Sequence, residues 1–474
     1  MGLLKNKMKR LKVNFLYNSV FQILTLIVPL ITTPYVARIL GANNLGIFAY
    51  TNANTNYFTI LASLGFNLYA QNEVAKVREN KLELARVFSN VFITRLICSM
   101  VVFVVFSFFN MFFFKSYNIL YWILSFQIIG VAFDVSWLFM GLEEFKKISI
   151  RNLVVKIINT MLVFLLVHSQ DDLLIYAIII MFGIIISNLI VWSDVKKYIF
   201  SWEFDSKLWK KILCASLVLF LPTTAITVYT DIIRTFLGIV TTKNYVGYYV
   251  QADMLIKVIL SVITSLGTVV MPYVSHLISN GGHAEVKELI KKSFNIITTI
   301  TMPVVVLVIT FSDNFIPFFL GSGFLPTAEL LKINVISVIF AAWGNVLGIQ
   351  YLLPIGKIKE YTISTTLPAV SIIFTAPILY NFLGVAGVMV AIVIVQILVF
   401  VIQLNYLKKD LDIISLFSGF PKIVINCGIM YAAILIFKSI SEVKSNFLAL
   451  LFGGSIGIFV YAVGHLYMLR INKN

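Results

Sequence analysis

Ionisable side chains lie inside several long apolar segments of this chain, where an uncompensated charge is costly. The basic residues are Arg38, Arg95, Arg234 and Lys257, and the acidic residues are Asp134, Asp231 and Asp253. Guanidinium and ammonium groups that face a cavity suit an anionic ligand, and arginine suits phosphate through its fork of donors. Acidic groups in the same setting could carry H⁺ or Na⁺. These residue types therefore predict a site for an anion, with cation coupling at the three aspartates.

A purely structural role is the alternative for each of these charges. Asp253 and Lys257 are four residues apart and Asp231 and Arg234 are three apart, so each pair can form an ion pair along one helix. Any of the arginines could instead extend its side chain to the membrane surface. Lys257 lies ~20 Å from the outer end of its helix, too deep for that. Asp134 has no evident partner nearby in the sequence.

Polar side chains also form a stripe on each of two segments, at about 100° per residue. The first stripe contains Asn52, Asn56, Thr59, Ser63 and Asn67. The second contains Asp253, Lys257, Ser261, Thr264 and Thr268. Such stripes are either hydrogen-bonding contacts between helices or the lining of a cavity. Their length, and their equivalent positions in two related segments, favour a water-filled cavity.

The elements that carry these residues are apolar helices. Of the 474 residues, 59% are hydrophobic and 12% are charged, whereas about 25% are charged in soluble domains. Apolar runs of ~20 residues recur along the whole chain, which is the length of a helix that crosses ~30 Å of hydrocarbon. A membrane β-barrel would show shorter, alternating segments. The predicted fold class is therefore all-α integral membrane, with about fourteen transmembrane helices.

The predicted spans are separated by short connections, too short for an additional folded domain. They lie near 13–37, 45–70, 87–114, 117–140, 148–168, 172–192, 212–239, 245–278, 293–312, 325–353, 361–382, 384–406, 421–440 and 446–469. The first run lacks a small-residue cleavage site and is interpreted as a retained helix.

The net charge of +16 indicates membrane topology and not nucleic-acid binding, because basic residues concentrate in every second connection. Lys146, Lys147 and Arg151 form one such inner connection, and residues 193–211 contain another. This alternation places both termini in the cytoplasm. The three cysteines and four histidines are scattered, so neither a disulfide framework nor a metal site is predicted.

Two stretches of the chain share a pattern. The second predicted span begins near Gly46 and contains Gly65. The eighth begins near Gly247 and contains Gly267. Both spans follow a proline-containing span and precede a basic linker. We therefore predict two parallel six-helix repeats that form lobes around a central cavity: an N-terminal lobe over 1–192 and a C-terminal lobe over 193–406. Residues 407–474 contribute two additional helices.

Several motifs resemble those of Wzx-type polysaccharide repeat-unit flippases, members of the superfamily of multidrug, oligosaccharidyl-lipid and polysaccharide exporters. The matching stretches are Asn14–Asn18, Pro29–Gly41, Leu45–Phe48, Ser63–Gly65, Gln71–Ala75 and Gly141–Lys147. The resemblance is strongest over residues 10–160.

This resemblance implies a bacterial plasma-membrane protein that moves an oligosaccharide linked to undecaprenyl diphosphate from the inner to the outer leaflet. An ion gradient of H⁺ or Na⁺ would drive the step, and polysaccharide assembly proteins are candidate partners beside the membrane lipid. Asn52, Asn56, Ser63 and Thr264 would line the cavity with the four cations. No cofactor is expected.

Two other functions are compatible with many apolar helices. A multidrug or cation antiporter of the same superfamily would share the fold, but its cavity would be expected to be rich in acidic residues. A membrane polysaccharide polymerase or ligase would need a long outer loop with catalytic residues, and every predicted outer loop is short. The sequence therefore favours a transporter over an enzyme.

Overall fold

The computed structural model describes residues 2–441 and 445–471, with side chains from residue 28 onward at all but a few positions. These residues form α-helices joined by short turns, and the described part of the chain contains no β-strand. The all-α membrane class is thus confirmed.

Within the described residues, ten helices are long and apolar enough to cross a membrane, or eleven if a bent pair counts as one span. The helices Gly2–Ser63 and Ser206–Val240 are not part of this count. The number fourteen and the arrangement of two repeats stay predictions.

The chain divides into two compact units, of which unit 1 covers Met1–Val246. Its helices are α1 (Gly2–Ser63), α2 (Phe66–Val77), α3 (Lys81–Phe112), α4 (Asn118–Phe133), α5 (Ser136–Gly141), α6 (Phe145–Leu166), α7 (Leu173–Ile190), α8 (Trp192–Val195) and α9 (Ser206–Val240). Helix α9 packs against α1, α2 and α3 of the same unit. The predicted lobe boundaries at residues 192 and 406 stay predictions.

Unit 2 covers Gly247–Asn474. Its helices are α10 (Lys243–Ser279, of which the residues from Gly247 belong to this unit), α11 (His283–Phe319), α12 (Leu325–Asn334), α13 (Ile336–Leu347), α14 (Ile358–Leu383), α15 (Val385–Leu407), α16 (Ile413–Leu416), α17 (Phe420–Ile440) and α18 (Asn446–Ile471). A π-helical turn, Gly348–Leu352, follows α13.

Two glycines interrupt the helical path at the start of unit 1. Gly41 has φ 74° and ψ 172° and breaks α1 between the first two predicted spans. Leu64 and Gly65 also have positive φ, so α1 ends at Ser63 and α2 starts at Phe66. Glycine accepts this backbone without a Cβ clash. The prediction that Ser63–Gly65 lies inside one continuous span is therefore wrong, and Asn67 belongs to α2, not to the stripe of α1.

Both units contain an interrupted span. In unit 1, Asp134 and Val135 separate α4 from α5. In unit 2, the segments Ser322–Asn334 and Ile336–Leu352 are bent by 44°. Interrupted membrane helices leave backbone groups that need polar neighbours, and these positions often border functional sites.

Two of the motifs that carry the family resemblance pack against each other in unit 1. Helix α5 lies against α2 at Gly141, where an added Cβ would lie 2.6 Å from Val74 Cγ1 and 2.8 Å from the backbone oxygen of Gln71. The contact borders an apolar core that includes Phe88 and Trp137. Gly141 is therefore required for the close approach of these helices.

Gly141→Ala is expected to lower the free energy of unfolding by about 1–3 kcal/mol, because the backbone oxygen of Gln71 cannot move aside as a side chain can. Thermal unfolding of the purified protein in detergent measures this. Gly428→Ala in α17 is the matched control, since nothing lies within 4 Å of a Cβ added there. Equal melting temperatures for the two variants would contradict the predicted clash.

Candidate functional site

A seam of polar side chains joins α1 to α9 within unit 1. Asn56 Nδ2 donates a hydrogen bond to Asp231 Oδ2 at 2.6 Å. Arg234 Nη1 lies 3.3 Å from Asp231 Oδ1, which confirms the ion pair expected from the three-residue spacing. The Asp231 side chain is only 2% exposed. The seam thus holds a buried carboxylate that the sequence had not linked to Asn56.

Hydroxyl and amide groups extend the same seam. Thr235 Oγ1 donates to Asn54 Oδ1 at 2.8 Å and accepts from the Tyr57 hydroxyl at 3.1 Å. Asn54 Nδ2 in turn donates to the Tyr121 hydroxyl on α4 at 2.7 Å. The part of the seam around Asp231 is therefore charged, whereas the part around Thr235 and Asn54 consists of uncharged groups.

A partly buried carboxylate of unit 1, that of Asp134, lies at the break between α4 and α5. Arg95 of α3, whose side chain is 2% exposed, has its Nη2 3.6 Å from Asp134 Oδ2. Arg95 Nη1 also donates to Asn67 Oδ1 at 2.7 Å and to the Asp134 carbonyl at 2.9 Å. Leaving a charge of this kind without its partner would cost several kcal/mol, about 3–5 in soluble examples.

Asp134 is also bonded locally. Its Oδ1 accepts from the backbone N–H of Ser136 at 3.0 Å and from the Ser136 hydroxyl at 2.5 Å, which starts α5. The prediction that Asp134 lacks a partner nearby in sequence is therefore wrong. A short polar side chain next to a helix start commonly bonds in this way, and that pattern was the signal available in the sequence.

A cavity of about 490 Å³ adjoins this pair, lined by both polar and apolar residues of α2, α5, α6 and α7. Arg151 lines it and is 8% exposed. From the sequence, Arg151 was counted with a basic connection although the predicted span 148–168 contains it, and the structure places it inside α6, six residues beyond the start of the helix. Charge counting along connections cannot separate a loop arginine from one in the first turns of the next helix.

Unit 2 contains the third predicted aspartate. Lys257 Nζ lies 2.7 Å from Asp253 Oδ2 on α10, so the i, i+4 pair is confirmed. The Lys257 side chain is 50% exposed and that of Asp253 13% exposed. The cation therefore lies on the surface of its helix, next to its carboxylate, and is not enclosed in the core of unit 2.

The remaining predicted site residues lie apart from these clusters. Arg38 is exposed on α1, three residues before the break at Gly41. Asn52 Oδ1 accepts a 3.4 Å hydrogen bond from Gln127 Nε2. Ser63 and Thr264 donate to backbone carbonyls of their own helices. The side chain of Thr268 and those of the N-terminal lysines lie outside the described residues.

Outside the membrane spans, an ion pair and a hydrogen bond connect the turn regions. Arg78 Nη1 donates to Glu143 Oε1 at 2.8 Å, and the Glu143 carboxylate raises the pKa of Arg78. Tyr198 donates to Glu144 Oε1 at 2.5 Å, and burial together with that carboxylate raises the pKa of Tyr198. Both acidic residues belong to the Gly141–Lys147 motif, so this motif fixes the turn before α6.

The described residues bring no three His, Cys, Asp or Glu side chains together as a metal site. The sequence also matches a known protein family. The family described as polysaccharide biosynthesis protein (Polysacc_synt) matches residues 11–278, more than half of the chain. The chain belongs to this family.

All of the predicted site residues lie inside the region that matches the family, residues 11–278. Two relatives are named as O-antigen transporters. The one from Escherichia coli (strain K12) is 23% identical over 80% of this chain and 93% of its own length. The one from Shigella dysenteriae is 24% identical over 80% of this chain and 96% of its own length.

Solved structures with the same fold are also transporters. The lipid II flippase MurJ in an inward closed conformation matches with a TM-score of 0.79 and 18% identity, over 97% of this chain and 100% of that chain. An inward-facing multidrug resistance transporter of the MATE family matches with a TM-score of 0.57 and 15% identity, over 81% and 95% of the two chains. At these identities the likeness establishes the fold.

The sequence-based resemblance to polysaccharide flippases is thus confirmed at the level of the family. The protein is a multi-pass membrane protein with the fold of these solved structures. Its relatives are named as transporters and a flippase, not as enzymes, which supports the prediction that the chain is not an enzyme.

Proposed function

We propose that this protein moves oligosaccharide repeat units, linked to undecaprenyl diphosphate, from the inner to the outer leaflet of the bacterial plasma membrane. The observation that carries the proposal is the alignment of four-fifths of the chain with two O-antigen transporters. The fold shared with a lipid II flippase supports it. Buried cations in unit 1 are the chemistry expected for a diphosphate ligand.

The transport cycle is a finer part of the proposal. Two six-helix repeats, within about fourteen helices, alternately open the protein to the two sides of the membrane. The interrupted span in each unit supports a repeated architecture.

The proposed site residues have three roles. The diphosphate is attracted by the cations Arg38, Arg95, Arg234 and Lys257. The sugars accept or donate hydrogen bonds at Asn52, Asn56, Ser63 and Thr264. Asp134, Asp231 and Asp253 are the candidates to carry H⁺ or Na⁺. Polysaccharide assembly proteins at the outer leaflet would accept the repeat unit.

The function is tested by deleting the gene and complementing it with the wild-type or a variant chain. Lipid-linked sugars are then quantified on each membrane face with an impermeant labelling reagent. The deletion strain is expected to accumulate the lipid-linked repeat unit on the inner face, with a loss of at least about tenfold on the outer face. An unchanged distribution between the two faces would overturn the proposal.

The orientation has its own test. Both termini and the connection around residues 193–211 are expected to face the cytoplasm, because basic connections are retained inside. In a cysteine-free background, Ser116→Cys should react with an impermeant thiol reagent added to intact cells, and Phe200→Cys should react only after the membrane is permeabilised. The opposite labelling pattern would invert the proposed orientation.

The ion pair on α10 allows a direct test of two proposed site residues. Asp253→Asn and Lys257→Gln are each expected to reduce transport at least about tenfold, because each change leaves one charge without its partner 2.7 Å away. If Lys257 contacts phosphate or Asp253 carries the ion, the double variant should remain inactive at normal membrane abundance.

A structural ion pair predicts a different result for the double variant. Two neutral residues can still form a hydrogen bond, so the double change would then restore transport that either single change loses. Lys292→Gln with Glu288→Gln is the matched control, since this i, i+4 pair on α11 has both side chains 66% exposed. The control should have no measurable effect.

A further inference from the structure

The cavity of unit 1 is lined by two cations and by several amide side chains that can donate hydrogen bonds. Arg151 and Lys156 of α6 line it together with the amide side chains of Asn152, Asn159 and Asn188. Asp134 is the carboxylate in this lining, and it already accepts from Ser136 and lies beside Arg95. The lining therefore has an excess of positive charge.

Two buried donors in this lining have no acceptor among the described residues. Arg151 Nε donates to Asn152 Oδ1 at 2.9 Å, and Nη2 donates to Asn152 Oδ1 at 2.7 Å and to the Ser136 hydroxyl at 3.2 Å. Arg151 Nη1 is buried without an acceptor, and so is Trp137 Nε1. Arg151 is 92% buried (8% exposed) and Trp137 99% buried (1% exposed). Buried donors without acceptors are rare and call for a missing group. An oxyanion supplies several acceptor atoms at once.

The position of Arg151 along α6 indicates which kind of anion could reach it. The helix starts at Phe145, beside Lys146 and Lys147, so Arg151 lies ~9 Å along the axis from the start of the helix. With the start of the helix at the membrane surface, Arg151 would lie near the boundary between the headgroups and the hydrocarbon, well short of the bilayer midplane. Ile150, Val154 and Ile157 on the same helix are exposed and offer an apolar surface to acyl chains.

We propose that this cavity binds the phosphate group of a lipid, with Arg151 as the principal ligand and the neighbouring amides as further donors. Basic pockets between transmembrane helices at the cytoplasmic side bind anionic lipid headgroups by the same physics. The phosphate could belong to a bulk anionic phospholipid or to the polyprenyl carrier lipid. The site is independent of the proposed transport function, because a lipid can bind here whether or not the protein moves a sugar.

The test is native mass spectrometry of the full-length, delipidated protein in detergent. Three probes are added separately: phosphatidylglycerol, undecaprenyl phosphate and inorganic phosphate, with phosphatidylcholine as the zwitterionic reference. The wild type is expected to retain one lipid whose phosphate headgroup carries a net negative charge. Arg151→Gln should weaken that binding by about tenfold or more, and Arg151→Lys should weaken it less because it keeps the charge but loses the fork of donors.

Two further variants protect the test against a folding defect. Asn159→Asp keeps the side-chain size and adds a carboxylate to the cavity lining, so it should weaken lipid binding while Arg151 stays in place. Arg78→Gln removes an arginine from an exposed ion pair of the same unit and should bind lipid as the wild type does. Thermal unfolding of each variant shows that the fold is intact.

The probes also separate the two sources of phosphate. Preference for phosphatidylglycerol assigns the site to bulk lipid, and preference for undecaprenyl phosphate assigns it to the carrier, and either result supports the proposal. Equal binding of phosphatidylcholine, binding of inorganic phosphate without either lipid, or unchanged lipid binding by both Arg151→Gln and Asn159→Asp would overturn it.

Discussion

Arg95→Gln is expected to destabilise unit 1 by about 3–5 kcal/mol and to abolish transport, because it leaves Asp134 without the cation it faces in a buried setting. The same change combined with Asp134→Asn is expected to recover most of the stability. A neutral amide pair can keep hydrogen bonds to Asn67 and Ser136, and replacing both members of a buried ion pair is often close to neutral.

The double variant separates the structural role of Arg95 from its proposed contact with the diphosphate. If Arg95 attracts the ligand, the double variant should reach normal membrane abundance and melt near the wild-type temperature, yet still fail to place lipid-linked sugar on the outer face. If the pair only holds α3 against the break between α4 and α5, transport should return together with stability.

A control with the same residue types comes from the surface of unit 1. Arg86 and Asp205 form an ion pair at 2.5 Å, with side chains 41% and 29% exposed. Arg86→Gln is expected to cost no more than about 1 kcal/mol, because an exposed pair is screened by water and ions. A loss of transport in this variant equal to that of Arg95→Gln would show that charge removal acts nonspecifically.

Pairs that are close in sequence could be predicted, because helix geometry fixes the distance between side chains three or four residues apart. Asp231 with Arg234 and Asp253 with Lys257 were found in this way. Composition and the recurring apolar runs likewise predicted the helical membrane fold, since the length of a span depends on bilayer thickness alone.

Contacts between distant parts of the chain could not be predicted. Arg95 and Asp134 are 39 residues apart, and Asn56 and Asp231 are 175 apart. The stripe containing Asn56 was compatible with a cavity as well as with a contact between helices, and the structure gives Asn56 a hydrogen-bond partner on α9. Periodicity identifies the face of a helix that is polar, but it does not identify what that face meets.

Local backbone breaks account for the other errors. The stripe from Asn52 to Asn67 assumed one straight helix, whereas Leu64 and Gly65 take positive φ and redirect the chain. Glycine within an apolar run is compatible with helix continuation as well as with a break. Arg151 was counted with a connection for a related reason: the boundaries of a helix are the least certain feature of any assignment from sequence.

Asp231→Asn is expected to reduce transport at least about tenfold while changing stability by only about 1 kcal/mol. Arg234 loses its ion pair with Asp231 in this variant, but its side chain is 21% exposed and can be hydrated. The carboxamide oxygen can still accept from Asn56 Nδ2, so the link between α1 and α9 persists, but the charge that could bind H⁺ or Na⁺ is removed. Asp231→Ala should be worse for stability, by about 1–3 kcal/mol, since it leaves the partly buried Asn56 amide without its acceptor.

Reconstitution in proteoliposomes separates ion coupling from simple helix contact. Wild-type transport of the lipid-linked sugar should rise when a gradient of H⁺ or Na⁺ is applied, and that of Asp231→Asn should be slow and independent of the gradient. Retention of gradient dependence by Asp231→Asn would remove Asp231 from the coupling residues.

Thr235→Val is the control that lies within the same seam. It removes the hydroxyl that donates to Asn54 and accepts from Tyr57, so it weakens the contact between α1 and α9 without changing its charge. If Asp231 acts only through helix packing, both variants should affect transport in proportion to their loss of stability. If Asp231 carries the coupling ion, Thr235→Val should keep its gradient dependence and Asp231→Asn should lose it, although each variant changes stability by only about 1 kcal/mol. Because the two variants are compared by their gradient dependence, the distinction does not depend on the absolute transport rate.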